Sequence, residues 1–408
     1  MLAWCLYDWA YSAFNTVVST FVIATYFVRA VAPDPPTGTT QWAMAQAGAG
    51  IVIALAAAPL GVLADRAGWR HRLLGAFTLL TATFTAALWF VHPRPADAVL
   101  GLVLVAAATI AYEIATVFYN AMLADVAPPD RVGFISGLGW GFGYIGGLIC
   151  LLLCLVLLIN PHSALLPLDR ASAAPVRACA LLAAGWLLMF GWPVLVFVRG
   201  ESRSRRLALR SMLRAAGHDR HLLAFLLARM LYSDGLTTLF AFGGIYAAGQ
   251  FAMGAQEVLL LGIALQLSAG VGALAFARID DRIGDKQTIL LSLSALAVVG
   301  GLLLLTHNAT TFWMLALLLG AFVGPSQAAS RSLMTRISPA GEQSTHFGLY
   351  ALSGRVTGFV GPASLGVVTA IAHSQRAGMA VIIVLLVAGA LVLAPLRFHP
   401  GESVLTTG

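Results

Sequence analysis

The chain has 408 residues, of which 59% are apolar and 10% are charged, and its mean hydropathy is +0.87. Because soluble domains carry about 25% charged residues, this composition excludes a soluble protein and indicates one that lies in a lipid bilayer. The formal net charge of +7 does not indicate a nucleic-acid partner, since the positive residues collect in turns between apolar runs.

Twelve hydrophobic segments follow one another along the chain, and each is long enough to cross about 30 Å of hydrocarbon. They cover residues 2–28, 41–63, 72–92, 98–122, 134–159, 177–198, 221–249, 255–277, 287–306, 310–334, 344–372 and 377–397. The first run begins at Met1 and carries Asp8, so it is too long and too polar for a cleaved signal peptide. The sequence predicts an all-α membrane protein with twelve transmembrane helices.

Polar residues form stripes along particular segments. In segment 1 they recur at steps of four, three and four, which places them on one helix face, namely Asp8, Ser12, Asn15 and Ser19. Segment 4 carries Glu113, Thr116 and Asn120. Segment 7 carries Arg229, Ser233, Asp234 and Thr237, and segment 10 carries Gln327, Ser330 and Arg331. Such stripes are unfavourable against lipid, so we expect them to line a watered cavity.

One short signature occurs twice, at residues 61–70 and again 216 residues later at 277–286. Both copies place an aspartate, an arginine and a glycine at the same spacing, as Asp65, Arg66 and Gly68 and as Asp281, Arg282 and Gly284. This pattern is typical of a tight charged turn between two membrane helices. Ala277 stands where the first copy has Gly61, so we expect the second contact to be less close.

The stretch 199–220 carries seven arginines and separates six segments from six. It predicts a 6+6 architecture with bundles at 1–198 and 221–397, a central loop at 199–220 and a tail at 398–408. Of the 24 Lys and Arg residues, seventeen fall on the side of the amino terminus and five on the other side. By the positive-inside rule both termini are expected in the cytoplasm.

Five ionisable residues lie inside the predicted spans, namely Asp8, Glu113, Arg229, Asp234 and Arg355. Left in lipid, they would together cost on the order of 12–17 kcal/mol, so they must pair, neutralise or contact water. Because three acids face two bases, at least one carboxylate lacks a partner and can exchange a proton. Glu113, Asp234 and Asp8 are therefore candidates for proton coupling; structural ion pairing is the alternative.

The four cysteines lie in apolar runs, and no histidine stands at ligand spacing beside Cys150 and Cys154, so we expect neither a metal site nor disulfides. No cofactor is expected. Lys286 is the only lysine and follows Asp285, so the chain has no phosphate-binding loop of a primary pump. Paired catalytic groups typical of an enzyme do not occur either.

Several stretches are similar to one transporter family. They are Leu-Tyr-Asp-Trp-Ala-Tyr-Ser-Ala-Phe at 6–14, Phe-Tyr-Asn-Ala-Met-Leu at 118–123, Leu-Tyr-Ser-Asp-Gly at 231–235, Gln-Ala-Ala-Ser-Arg-Ser-Leu at 327–333 and Phe-Gly-Leu-Tyr at 347–350. Together with the duplicated signature, they resemble the autophagy-related vacuolar effluxer-like family of the major facilitator superfamily, which has many bacterial members. The resemblance implies a bacterial inner-membrane protein that exports a small solute, with amino acids as the best-known substrates.

The resemblance also implies a central cavity lined by segments 1, 4, 7 and 10, and a cytoplasmic gate at the signature loops. The substrate-cavity candidates are Tyr7, Tyr11, Ser12, Asn15, Thr116, Asn120, Arg229, Ser233, Thr237, Gln327, Tyr350 and Arg355. The gate candidates are Gly61, Asp65, Arg66, Gly68, Arg70, Asp125, Arg131, Asp281 and Arg282. We expect a monomer that takes up protons and moves its solute by alternating access. A drug or metabolite exporter, or a membrane sensor or scaffold, remains the alternative.

Overall fold

A computed structural model describes residues 1–160, 168–198, 219–355 and 357–398, and every element within these ranges is a helix. The predicted central loop, apart from Asp219 and Arg220, and the tail from residue 399 onward lie outside the described residues.

Eleven of the described helices are long and apolar enough to cross a membrane. They are α1 (Leu2–Val31), α2 (Pro35–Ala67), α3 (Arg70–Phe90), α4 (Pro95–Val126), α5 (Pro129–Ile159), α6 (Ala174–Phe197), α7 (Arg220–Phe251), α8 (Ala255–Ile283), α9 (Asp285–Leu305), α10 (Ala309–Ile337) and α12 (Gln375–Leu393). The remaining span, the eleventh in chain order, is interrupted and consists of α11a (Gln343–Ser353) and α11b (Val360–Ala372). The predicted twelve-helix fold is confirmed, but segment 11 is two helices rather than one.

Both copies of the signature form very short turns. Helix α2 is followed by Gly68, whose φ is 70°, and α3 begins two residues after this glycine. Helix α8 is followed by Gly284, whose φ is 93°, and α9 begins at the next residue. Only glycine adopts such positive φ values without strain, which explains why both copies carry it. We call the end of the molecule that contains these turns the signature end; the amino terminus of α1 lies there too.

Close backbone contacts join the two bundles near the signature end. A Cβ on Gly61 of α2 would lie 2.2 Å from the carbonyl oxygen of Ser344 in α11a. In the other interface, a Cβ on Gly137 of α5 would lie 2.6 Å from the Cβ of Ala277 in α8. The second interface is thus also closely packed, because Gly137 supplies the space that Ala277 takes up.

The break in the eleventh span separates two kinds of packing. Helix α11a packs along α2 of the other bundle, whereas the extensive contacts of α11b are with α7 and α12 of its own bundle. The two bundles are therefore tightly joined on the signature side of the break.

Candidate substrate pathway and gate

A buried ion pair joins α1 to α10 between the two bundles. Nη1 of Arg331 lies 2.9 Å from Oδ2 of Asp8, and Arg331 is only 2% exposed. The same guanidinium donates to the hydroxyl and the carbonyl of Ser136 on α5, at 3.0 and 2.7 Å. It also lies 4.7 Å from the Trp4 ring, a distance suited to a cation–π contact. The carboxylate, the Ser136 oxygens and the Trp4 ring therefore all stabilise this buried charge at the interface between the bundles.

Glycines on α5 bring α1 close enough for this arrangement. A Cβ on Gly139 would lie 2.3 Å from Oδ2 of Asp8, and one on Gly143 would lie 2.6 Å from Oγ of Ser12. The sequence predicts that the polar stripe of α1 lines a water-filled cavity. Asp8 and Ser12 instead pack against the glycine face of α5, whereas Asn15, further along the stripe, is exposed.

A second ion pair between the bundles lies at the break in the eleventh span. Nη2 of Arg355, in the break, donates to Oε1 of Glu113 on α4. Their side chains keep 32% and 20% of their exposure, so this pair is open to solvent in a way that the Asp8 pair is not. The hydroxyls of Thr116 and Tyr11 lie 2.6 Å apart in the neighbouring turn. The structure thus brings the cavity candidates Tyr11 and Thr116 together, in the turn next to the proton-coupling candidate Glu113.

Helix α7 stabilises both sides of the break. Nη1 of Arg229 donates to the carbonyl of Tyr350 at 2.7 Å and to the hydroxyl of Ser353 at 2.8 Å, at the end of α11a. Oδ2 of Asp234 accepts from the backbone N–H of Gly361 at 2.7 Å, in the first turn of α11b. A helix end carries partial negative charge and a helix start partial positive charge, so each residue has the charge that its partner requires.

This geometry separates two of the proton-coupling candidates. Asp234 is 4% exposed and bonds within its own bundle, and its Oδ1 has no hydrogen-bond partner among the described residues. Glu113 pairs across the bundles and remains partly exposed. Asp234 therefore caps a helix of its own bundle, whereas Glu113 lies in a contact between the two bundles.

The remaining cavity candidates fall into different environments. Tyr7 is 1% exposed, and its hydroxyl lies 2.7 Å from that of Thr78, so it belongs to the interior of the amino-terminal bundle rather than to a cavity. Gln327 accepts from the hydroxyl of Tyr144 at 3.0 Å across the bundles. Asn120 is buried beside Arg331, Ser233 is half-buried, and Thr237 is exposed.

Asp65 caps a helix of the opposite bundle. Its Oδ2 accepts from the backbone N–H and the hydroxyl of Thr345, at 2.7 and 2.8 Å, in the first turn of α11a. Its Oδ1 accepts from the N–H of Ser344 and lies 3.2 Å from Nη2 of Arg70. Nη1 of Arg70 in turn lies 2.8 Å from Oδ2 of Asp125. A carboxylate at a helix start is stabilised both by the free N–H groups and by the helix dipole.

The second copy of the signature repeats this contact in the opposite direction. Oδ1 and Oδ2 of Asp281 accept from the N–H groups of Gly133 and Phe134, both at 2.8 Å, at the start of α5. Arg336 lies 2.9 Å from the same carboxylate and donates to the Pro129 carbonyl. Each bundle thus caps a helix of the other one.

The basic gate candidates differ in position. Arg70 donates to Ser344 at 2.9 Å and so spans the bundles, whereas Arg66 and Arg282 are exposed. Arg131 is exposed too, and lies 3.7 Å from its neighbour Asp130.

Sequence reasoning placed Arg331 in the polar stripe of segment 10 but missed its pairing with Asp8. The residue lies three positions inside the predicted span 310–334, and that position was the available signal. It also missed Arg336, which lies 2.8 Å from Asp285 as well as contacting Asp281.

The chain was compared with known proteins. The model of the family described as "Vacuole effluxer Atg22 like" matches residues 43–132 and 130–403. An uncharacterized MFS-type transporter, YxiO, of Bacillus subtilis is 25% identical over 98% of this chain and 95% of its own length. Autophagy-related protein 22 of Cryptococcus neoformans is 27% identical over 45% of this chain and 35% of its own length.

Two solved structures share the fold. A major facilitator superfamily transporter, FucP, in the outward conformation superposes with a TM-score of 0.78 at 12% identity, over 98% of both chains. A bacterial homologue of the iron transporter ferroportin in an outward-facing state gives a TM-score of 0.73 at 12% identity, over 97% of both chains. The fold and the family match agree: the chain belongs to the vacuole effluxer Atg22-like family of major facilitator superfamily transporters.

Proposed function

We propose that this secondary transporter exports a small solute, an amino acid or a related compound, in exchange for protons. The observation that carries the proposal is the Glu113–Arg355 pair, which joins the bundles and stays partly exposed. Bundles 1–198 and 221–397 rock against each other and open a site near this pair to each side in turn.

The chemistry of the pair suits a solute with both an ammonium and a carboxylate group. The guanidinium of Arg355 can bind a carboxylate through two parallel hydrogen bonds. The Glu113 carboxylate can either form an ion pair with the solute's ammonium group or bind a proton, but it cannot do both at once. This competition produces exchange, because the carrier returns with the proton when the solute has left.

The gate contacts define the conformational step. With Asp65 and Asp281 capping α11a and α5, the signature end is sealed. We propose that this end is cytoplasmic, in a bacterial inner membrane with both termini inside, which follows from the arginine distribution. A cysteine at exposed Thr39 should then react with an impermeant maleimide in intact cells, and one at exposed Ala67 only after permeabilisation. The reverse pattern would contradict this orientation.

The experiment starts with a thermal-shift screen of amino acids, peptides and drug-like cations, because a ligand that binds the folded state raises its apparent stability. Liposomes containing the protein are then loaded with the ligand found and placed under a pH gradient. Solute efflux should be faster with an inward proton gradient than with no gradient, and protons should enter the liposomes as the solute leaves. Efflux indifferent to the gradient would contradict coupling, and a response to cations alone would identify a drug exporter. A protein that moves no solute under any gradient would indicate a membrane sensor or scaffold.

A further inference from the structure

The two copies of the signature differ in a way that their shared fold does not require. Where the first copy has Ala64 and Trp69, the second has Asp280 and Asp285. Trp69 is 44% exposed, whereas Asp280 and Asp285 are 3% and 4% exposed. The carboxyl-terminal copy therefore buries two carboxylates that the amino-terminal copy lacks, although both copies follow a helix with a glycine at positive φ and cap a helix of the opposite bundle.

Both carboxylates are buried at the turn between α8 and α9, where a proton on one of them would provide the hydrogen-bond donor that the other lacks. Neither oxygen of Asp280 has a hydrogen-bond donor among the described residues, and the same holds for Oδ1 of Asp285. The hydroxyls of Thr288 and Ser332 lie nearby, but each donates to a backbone carbonyl, at 3.2 and 3.0 Å. A proton between the two aspartates would satisfy both.

The surrounding charges do not replace that proton. From α10, Arg336 lies 2.8 Å from Oδ2 of Asp285 and 2.9 Å from Oδ1 of Asp281, so its single charge is divided between two carboxylates. Lys286 of α9 donates instead to two carbonyls after α12, at 2.6 and 2.7 Å. From α8, the guanidinium of Arg278 lies over the Phe134 ring at 5.2 Å. Arg282 of the same helix is exposed.

The crevice around Asp280 favours a proton over a metal ion or water. It is lined by Gly133, Ala277, Thr288 and Ala328 and has no room for a water molecule. A divalent cation needs about six oxygen ligands, which this packing does not provide. Two ionised carboxylates side by side in such a place would be costly, since burial and like charge both oppose ionisation.

We propose that Asp280 and Asp285 share one proton while the signature end is sealed, and that they release it to the solution on that side when the end opens. Opening hydrates the crevice, because α8 and α5 are the helices that separate there. The pair is thus a proton-binding site that belongs to the gate and is distinct from the transport site at Glu113. The inference holds whichever solute the protein carries.

The sign of the pH dependence follows from linkage. The sealed state binds the proton more tightly than the open state, so sealing is favoured at low pH and is lost as the pH at that end rises. One proton taken up on sealing changes the ratio of sealed to open molecules by up to about tenfold per pH unit.

Double electron–electron resonance measures this ratio without any transport assay. Spin labels go on cysteines at exposed Ala67 and Ala340, in opposite bundles at the signature end, in a background without the four native cysteines. In nanodiscs, the short-distance population should fall as the pH rises. Asp280→Asn should keep that population high and independent of pH. Asp130→Asn, which removes an exposed carboxylate at the same end, should titrate like the parent.

Asp280→Asn that titrates like the parent would overturn the proposal, and so would a parent that shows no pH response. If Asp280→Asn does not fold, Asp285→Asn is used in its place. Infrared spectroscopy gives a second test, because a shared proton produces a carboxylic-acid carbonyl band that either variant should remove. The absence of that band from the parent would contradict the proposal. A failure of proton-driven efflux would leave both results unchanged.

Discussion

The carboxylate of Asp8 and the guanidinium of Arg331 form an ion pair, 2.9 Å long, between helices of opposite bundles. Both side chains are almost fully buried, at 8% and 3% exposure. A charge pair buried at an interface that must open is weak evidence for stability but a strong determinant of which state is populated, because opening returns both groups to water.

Arg331→Met leaves the Asp8 carboxylate buried without its partner. We expect the sealed form to be destabilised by about 3–5 kcal/mol relative to the parent. The double variant Asp8→Asn, Arg331→Met should recover much of this loss, since it removes the orphaned charge. The measurement is the distance between labels at Ala67 and Ala340, together with the thermal stability. A single variant as sealed and as stable as the parent would show that the pair contributes nothing.

Asp65→Ala removes the cap that α2 provides to α11a. A hydrogen bond to a charged group contributes about 1.5–3 kcal/mol, so the sealed population should fall roughly ten- to a hundredfold relative to the open one. Asp34→Ala is the matched control. Asp34 caps the other end of α2 within one bundle, where the N–H and the hydroxyl of Thr37 hold the pKa of its carboxyl below the ordinary value. Equal label distances in both variants would contradict a gating role for Asp65.

Asp234→Ala removes the cap of α11b. Loss of a helix cap costs about 0.5–2 kcal/mol, and we expect faster amide hydrogen exchange in the first turn of α11b. Asp234→Asn keeps an accepting oxygen and should exchange nearly like the parent, with proton-driven efflux retained. Loss of proton coupling in Asp234→Asn, with normal exchange, would return Asp234 to the role that its place in the sequence first suggested.

Some of this architecture follows from local chemistry and some does not. The signature turns were predictable because Gly68 and Gly284 need positive φ values that only glycine adopts freely. The break in the eleventh span was not, because Arg355 is the single Asp, Glu, Lys or Arg residue between positions 344 and 372, and the compensating groups, Arg229 and Asp234, lie on another helix.

Pairing was harder to predict than burial. The sequence predicts that charges within the membrane, such as Asp8 and Glu113, must pair, neutralise or contact water. It does not show that Arg331 pairs with the first and Arg355 with the second, because those contacts join helices more than 200 residues apart along the chain.

The central claim is that Glu113 binds the exchanged proton in competition with the solute. Glu113→Gln should abolish solute movement driven by a pH gradient in liposomes and leave solute counterflow partly intact, since counterflow needs no net proton movement. Glu257→Gln, at an exposed acid far from the pair, should behave like the parent. Gradient-driven movement that persists in Glu113→Gln at the parent's rate would contradict the claim.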